Sequence, residues 1–119
     1  MRTSSADFSL KPGKDSQIHL TNDAVQKHTA DYGKFEKANK LSYSELQKYL
    51  DTTFPKTRPN FLDTILASMR AVATEAVKAT YSILDPRKKT HNFELLGLDF
   101  MIDEEFRPWL IEVNTNPCL

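Results

Sequence analysis

The chain has 119 residues, sixteen basic and sixteen acidic side chains that cancel, and a single cysteine. This length bounds it to one small domain or a piece of a larger one. The balanced charge gives no global field for nucleic acid, and Cys118 alone excludes an internal disulfide framework and fits a reducing compartment as an inert thiol. No apolar run approaches the ~18 residues of a membrane span, and Met1–Asp7 carries no apolar signal region. The sequence predicts a soluble intracellular protein with neither nucleic acid nor membrane as a partner.

Residues 1–16 are polar, with a turn signal at Pro12-Gly13. Gln17–Asn22 alternates loosely and predicts a short strand running into a loop. His19 is then either a ligand or, in the plainer reading, a buried strand histidine. Thr21 and Asn22 either offer a hydroxyl and an amide to a bound nucleotide or form a turn or N-cap. Residues 31–41 are charged and without period, which predicts a mobile loop. Ser42-Tyr-Ser-Glu45 reads as a capping box opening a helix over 43–51, with Leu46, Tyr49 and Leu50 on one face.

Pro55 and Pro59 break the chain, and Pro59 suits the first position of a long helix. Leu62, Ile65, Leu66, Met69, Val72, Ala73, Ala76, Val77 and Tyr81 then recur with the spacing of a core-facing amphipathic face. Asp85-Pro86 ends that helix. Arg87-Lys88-Lys89 follows as a solvated linker, or as a contact for a carboxylate-rich peptide tail. Neither repeats nor glycine-rich phosphate loops, His-Glu-x-x-His helices or paired-cysteine zinc patterns are present.

The last stretch carries the chemistry. Apolar runs at 93–102 and 109–113 flank the acidic turn Asp103-Glu104-Glu105, a hairpin signal. Side chains alternate faces along a strand, so Leu95, Gly97, Asp99 and Met101 share one face. Leu110, Glu112 and Asn114 share a face of the second strand, opposed by Trp109, Ile111 and Val113. A four-residue loop, Glu104 to Arg107, closed by Asp103 and Pro108 sets Asp99 across from Glu112 and Asn114 across from Gly97, where a missing side chain leaves room. Carboxylates among large hydrophobes are costly unless satisfied, and like charges directly opposed repel. A solvated polar face explains the alternation but not the Leu and Met neighbours of the carboxylates. Two carboxylates and an amide on one face suit a hard cation, and Mg²⁺ bridging a nucleotide's phosphates is the natural candidate. The order of elements gives an α+β chain, an antiparallel hairpin with helices.

Arg2-Thr-Ser-Ser5, His19-Leu-Thr-Asn22, Tyr32-Gly33-Lys34, Asn39-Lys-Leu-Ser42, Phe93-Glu-Leu-Leu-Gly-Leu-Asp-Phe100 and Trp109-Leu-Ile-Glu-Val-Asn-Thr-Asn-Pro117 stand in an order and spacing that resemble one family. The resemblance is to the C-terminal half of the catalytic domain of the tubulin–tyrosine ligase-like enzymes, and it spans nearly the whole chain. These are ATP-grasp ligases that join an amino acid to tubulin tails through an acyl phosphate.

The resemblance implies that residues 1–119 are a partial ATP-grasp domain whose nucleotide-clamping N-terminal half is missing. It implies ATP and Mg²⁺ as cofactors, with Asp99, Glu112 and Asn114 holding metal and Thr21 and Asn22 helping to bind the nucleotide. Arg2 would face the phosphates or the incoming amino acid as a catalytic counter-charge, and Lys40 would lie near the amino-acid substrate. The implied partners are tubulin or microtubules, through their acidic tails, and a free amino acid: glutamate first, with glycine or tyrosine as alternatives. The implied location is the cytoplasm and cytoskeleton, including cilium or basal body. Two other readings stand beside this one: an ATP-grasp ligase with another protein acceptor, and a non-catalytic remnant that binds tubulin.

Overall fold

The computed structural model describes residues 1–10, 16–34, 37–57, 59–89 and 91–117. Pro12-Gly13 and Cys118 lie outside the described residues. The chain divides into two units, Met1–Lys56 and Thr57–Leu119. Among the described residues no helix is long and apolar enough to cross a membrane.

The first unit is built around polar groups. Two one-turn helices, α1 (Ser16–His19) and α2 (Asp23–Gln26), occupy the segment that alternation assigned to a strand and loop. Gln17–Asn22 is therefore not a strand: Gln26, at the end of α2, ties back to the α1 turn by donating from Nε2 to the Gln17 and Leu20 carbonyls at 2.7 and 2.6 Å. His19 is exposed at the end of α1, its ring edge-on to Phe8, so it is not a buried strand histidine.

Asn39 lies 4 % exposed at the end of a 3-10 turn, Lys37–Asn39, within the stretch expected to be a loop. Its φ of 51° is left-handed, a region asparagine enters more readily than most residues. Its Nδ2 donates to Ser5 Oγ at 2.7 Å and to Gln26 Oε1 at 3.3 Å, and its Oδ1 accepts from Gly33 N at 2.8 Å. Ser5 N donates to Gln26 Oε1 at 2.9 Å. Among the described residues no buried side-chain nitrogen or oxygen lacks a partner. Charged composition hid this network, because a polar core has no hydrophobic period.

Ser42 caps α3 (Tyr43–Thr53) with the full capping box. Glu45 N donates to Ser42 Oγ at 3.3 Å, and Ser42 N donates to Glu45 Oε2 at 2.8 Å. Leu46 and Leu50 are buried, but Tyr49 is 54 % exposed and does not share their environment.

In the second unit the long helix starts at Phe61, two residues later than proline placement suggested. Asn60 is the cap: its Oδ1 accepts from Asp63 N at 2.9 Å, and its Nδ2 donates to Asp63 Oδ2 at 2.7 Å. One π-helical turn, Phe61–Ile65, leads into α4 (Leu66–Leu84). The wider turn buries Phe61 and Ile65, each 2 % exposed. Leu66, Met69, Val72, Ala73 and Ala76 are half-buried, whereas every residue from Val77 to Leu84 is exposed. Of the predicted apolar face, Ile65 to Ala76 is covered, whereas Leu62, 51 % exposed, Val77 and Tyr81 are not. At the helix end Asp85 folds the basic run back, its Oδ1 accepting from Lys89 N at 3.1 Å.

Strands β1 (Gly97–Ile102) and β2 (Pro108–Asn114) form a two-stranded antiparallel sheet, and α4 lies against β2. The α+β class is observed. Phe93–Leu96 are not strand, since Asn114 pairs with Gly97 and the chain bends after it.

Candidate metal centre

The hairpin reaches the expected pairing by a different route. Asp103 N donates to the Arg107 carbonyl at 3.1 Å and Phe106 N to the Asp103 carbonyl at 3.0 Å, while Phe106 has φ 62°. This is a three-residue loop ending in a left-handed residue, not the four-residue loop closed by Asp103 and Pro108. Ile102 pairs with Pro108, Met101 with Trp109 and Phe100 with Leu110. A register shift then leaves Ile111 as an extra residue, and Asp99 faces Glu112, Leu98 faces Val113, and Gly97 faces Asn114. The bulge restores the residue that the shorter loop removes.

The bulge also redistributes the faces. Leu110 joins Phe100, Leu98, Ile102 and Pro108 on the half-buried face, while Trp109 moves to the face of Asp99, Met101, Glu112 and Asn114. The expected grouping of Trp109 with Ile111 and Val113 fails at this point, because one inserted residue inverts the alternation. Asp99 and Glu112 are exposed, so the burial cost expected for them is absent.

Directly opposed residues carry Cβ atoms about 4.5–5.5 Å apart, and two carboxylates there repel. Asn114 Nδ2 donates to Glu112 Oε1 at 3.2 Å, so the amide already touches one carboxylate while its oxygen stays available. The donor set is two carboxylates and an amide oxygen, all hard, on one open face; it fits Mg²⁺. Among the described residues no group of three His, Cys, Asp or Glu side chains could hold a metal, so the amide is the third donor this face offers. Gly97 is needed here, though not to leave empty room for Asn114. A Cβ at Gly97 would come within 2.8 Å of Pro117 Cβ, so Pro117 fills the gap.

The remaining sequence-predicted residues lie in the first unit. Arg2 and Lys40 form an antiparallel bridge, closed by Thr3 N to the Asn39 carbonyl at 3.0 Å and Leu41 N to the Met1 carbonyl at 2.9 Å. Thr21 and Asn22 are exposed at the start of α2. Asn22 occupies the N-cap position with φ −60° and ψ 135°, but its side chain makes no capping bond. Arg2 and Lys40 are thus brought together, as are Asp99, Glu112 and Asn114 on their own unit.

Sequence reasoning missed Asp23 and Tyr32. Tyr32 OH donates to Asp23 Oδ1 at 2.6 Å. That hydrogen bond, with Lys40, Arg2 and Lys27 nearby, holds the Asp23 carboxyl below its ordinary range and pushes the Tyr32 phenol up. Asp23 and Gln26 stand three apart on one helix face, a signal hidden once the segment was read as strand and loop.

The sequence model of the tubulin-tyrosine ligase family matches residues 1–119. The chain belongs to the tubulin–tyrosine ligase family. It is 34 % identical over 118 residues to the probable tubulin polyglutamylase TTLL9 of Mus musculus, covering 99 % of this chain and 24 % of that protein. The Bos taurus protein of the same name gives the same identity and coverage. It is 36 % identical over 123 residues to the protein monoglycylase TTLL8 of Homo sapiens, covering 100 % of this chain and 14 % of that protein. This family member therefore spans about a quarter or less of the length of these relatives.

Proposed function

We propose that this chain carries the divalent-metal seat of an ATP-grasp ligase that joins an amino acid to a tubulin carboxylate through an acyl phosphate. Glutamate is the first choice of amino acid, with glycine and tyrosine next, and the setting is the microtubule cytoskeleton. The pairing of Asp99 with Glu112, with Asn114 bonded to Glu112, carries this reading. The family membership and the names of the polyglutamylase and monoglycylase relatives support the reaction class.

Asp99, Glu112 and Asn114 would hold Mg²⁺, which when bound neutralises phosphate charge and orients the nucleotide. The chain's own residues hold the three donors on one open face and keep like charges opposed until a cation arrives. Thr21 and Asn22 are proposed to contact the nucleotide from a hydroxyl and an amide that make no hydrogen bond among the described residues. Arg2 and Lys40 present cationic charge to the carboxylate of the amino acid or to phosphate.

A polypeptide of the relatives' length carrying this chain at the matched region provides the test. ATP-dependent incorporation of labelled glutamate, glycine or tyrosine into microtubules is expected, and Glu112→Gln should reduce it by about a hundred-fold or more. Near-normal incorporation in Glu112→Gln would contradict the metal assignment. Incorporation by the 119-residue chain alone would contradict the proposal that it supplies only part of the catalytic domain.

A further inference from the structure

The first unit, which does not contain the metal-holding residues, brings Lys40 and Arg2 near enough to Asp23 to draw its carboxyl down, after the larger effect of the Tyr32 hydrogen bond. Arg2 and Lys40 are partners across an antiparallel bridge, where like charges repel. Both are exposed, and among the described residues neither is in an ion pair. Asp23 supplies the opposite sign. It shares a helix face with Gln26, whose Oε1 accepts from Ser5 N and from Asn39 Nδ2, so this face turns toward the two segments that carry Arg2 and Lys40. Tyr32 OH fixes Asp23 Oδ1 at 2.6 Å, and among the described residues Oδ2 has no hydrogen-bond partner. Asp23 is half-buried, so the carboxylate is oriented yet reachable.

We propose that Asp23, oriented by Tyr32, takes the ammonium group of a free α-amino acid whose carboxylate lies on Arg2 and Lys40. An α-amino acid carries both charges one carbon apart. A surface offering two cations and a fixed carboxylate distinguishes it from a carboxylic acid lacking the amine, because that analogue leaves Asp23 unpaired. Tyr32 is a positioning residue, holding one oxygen so that the other points consistently. The inference rests on the assignment of Arg2 and Lys40 to the amino-acid substrate.

The test is an NMR titration of the 119-residue chain with glutamate, glycine and the amine-free probe glutarate. Glutamate should shift the signals of Arg2, Lys40, Asp23 and Tyr32 together, with a lower Kd than glutarate. Asp23→Asn should raise the glutamate Kd on the order of ten-fold or more while leaving that of glutarate unchanged or lower. Tyr32→Phe should raise the glutamate Kd less, with unaltered Gly33 and Asn39 amide signals showing that the unit is intact. Equal wild-type affinity for glutamate and glutarate would overturn the proposal, as would an Asp23→Asn variant that weakens both alike. No shift with any probe would overturn it together with the Arg2 and Lys40 assignment, and would leave the hairpin metal seat standing.

Discussion

Asp103 binds the hairpin tip through both carboxylate oxygens. Oδ1 accepts from Arg107 N at 2.8 Å and Glu105 N at 3.1 Å, while Oδ2 accepts from Arg107 Nε and Trp109 Nε1, each at 2.8 Å. These bonds, the Trp109 indole foremost, lower its pKa to about 2. An unfolded aspartate titrates near ~3.9, so the folded state holds the proton less tightly. The stabilisation is present above about pH 4 and is lost as pH falls through about 2. Asp103→Asn should therefore loosen the hairpin at pH 7 and make no difference below pH ~2, read by amide exchange of β1 and β2. A difference independent of pH would contradict this. At the polar core, Asn39→Ala should cost about 1–3 kcal/mol for each buried group it leaves unpaired, measured by denaturant unfolding. An unchanged midpoint would show that the network around Gln26 does not hold the unit together.

The hairpin shows which features of an element were legible in the sequence. Alternation and a polar turn announced a hairpin with Asp99 and Glu112 in its strands, but the four-residue loop that set them opposite each other is absent, and the pair is kept only because the shorter loop and the bulge at Ile111 offset one another. The capping box at Ser42 was legible, since its chemistry lies within four consecutive residues. The loop length and the bulge were not. Phe106 in a left-handed conformation is chemically unannounced where glycine is the usual signal, and Ile111 looks like any strand residue. The helix cap at Asn60 was obscured by Pro59, a stronger signal one position away. The bulge makes a sharp prediction. Deleting Ile111 should leave residues 99 and 112 opposed, because both halves of the hairpin then close in one register, and cross-strand NOEs between them should persist. A regular hairpin with a four-residue loop would instead slip, bringing Glu112 opposite Phe100, and those NOEs would vanish.

At the scale of the molecule, the two units differ in what holds them. The first combines a polar core around Gln26 and Asn39 with the two leucines of α3, and the second relies on the apolar π-turn and the first half of α4. The apolar spacing announces α4 and the two leucines of α3, whereas the polar core around Gln26 and Asn39 carries no hydrophobic period and is not legible that way. Among the described residues nothing covers α4 from Val77 onward: Ile83 is 79 % and Leu84 61 % exposed. Amides there should exchange faster than those of Leu66–Ala76, since local stability follows buried apolar contact. Uniform protection along α4 would contradict that division.

The open face of the hairpin is proposed to seat a divalent cation. Mn²⁺, standing in for Mg²⁺, can be titrated into the chain while amide line widths are followed. Broadening should concentrate at Gly97–Asp99 and Glu112–Asn114 and disappear in Glu112→Gln with the hairpin intact. Broadening confined to the acidic turn Asp103–Glu105, or unchanged in Glu112→Gln, would rule out a cation held by Asp99, Glu112 and Asn114.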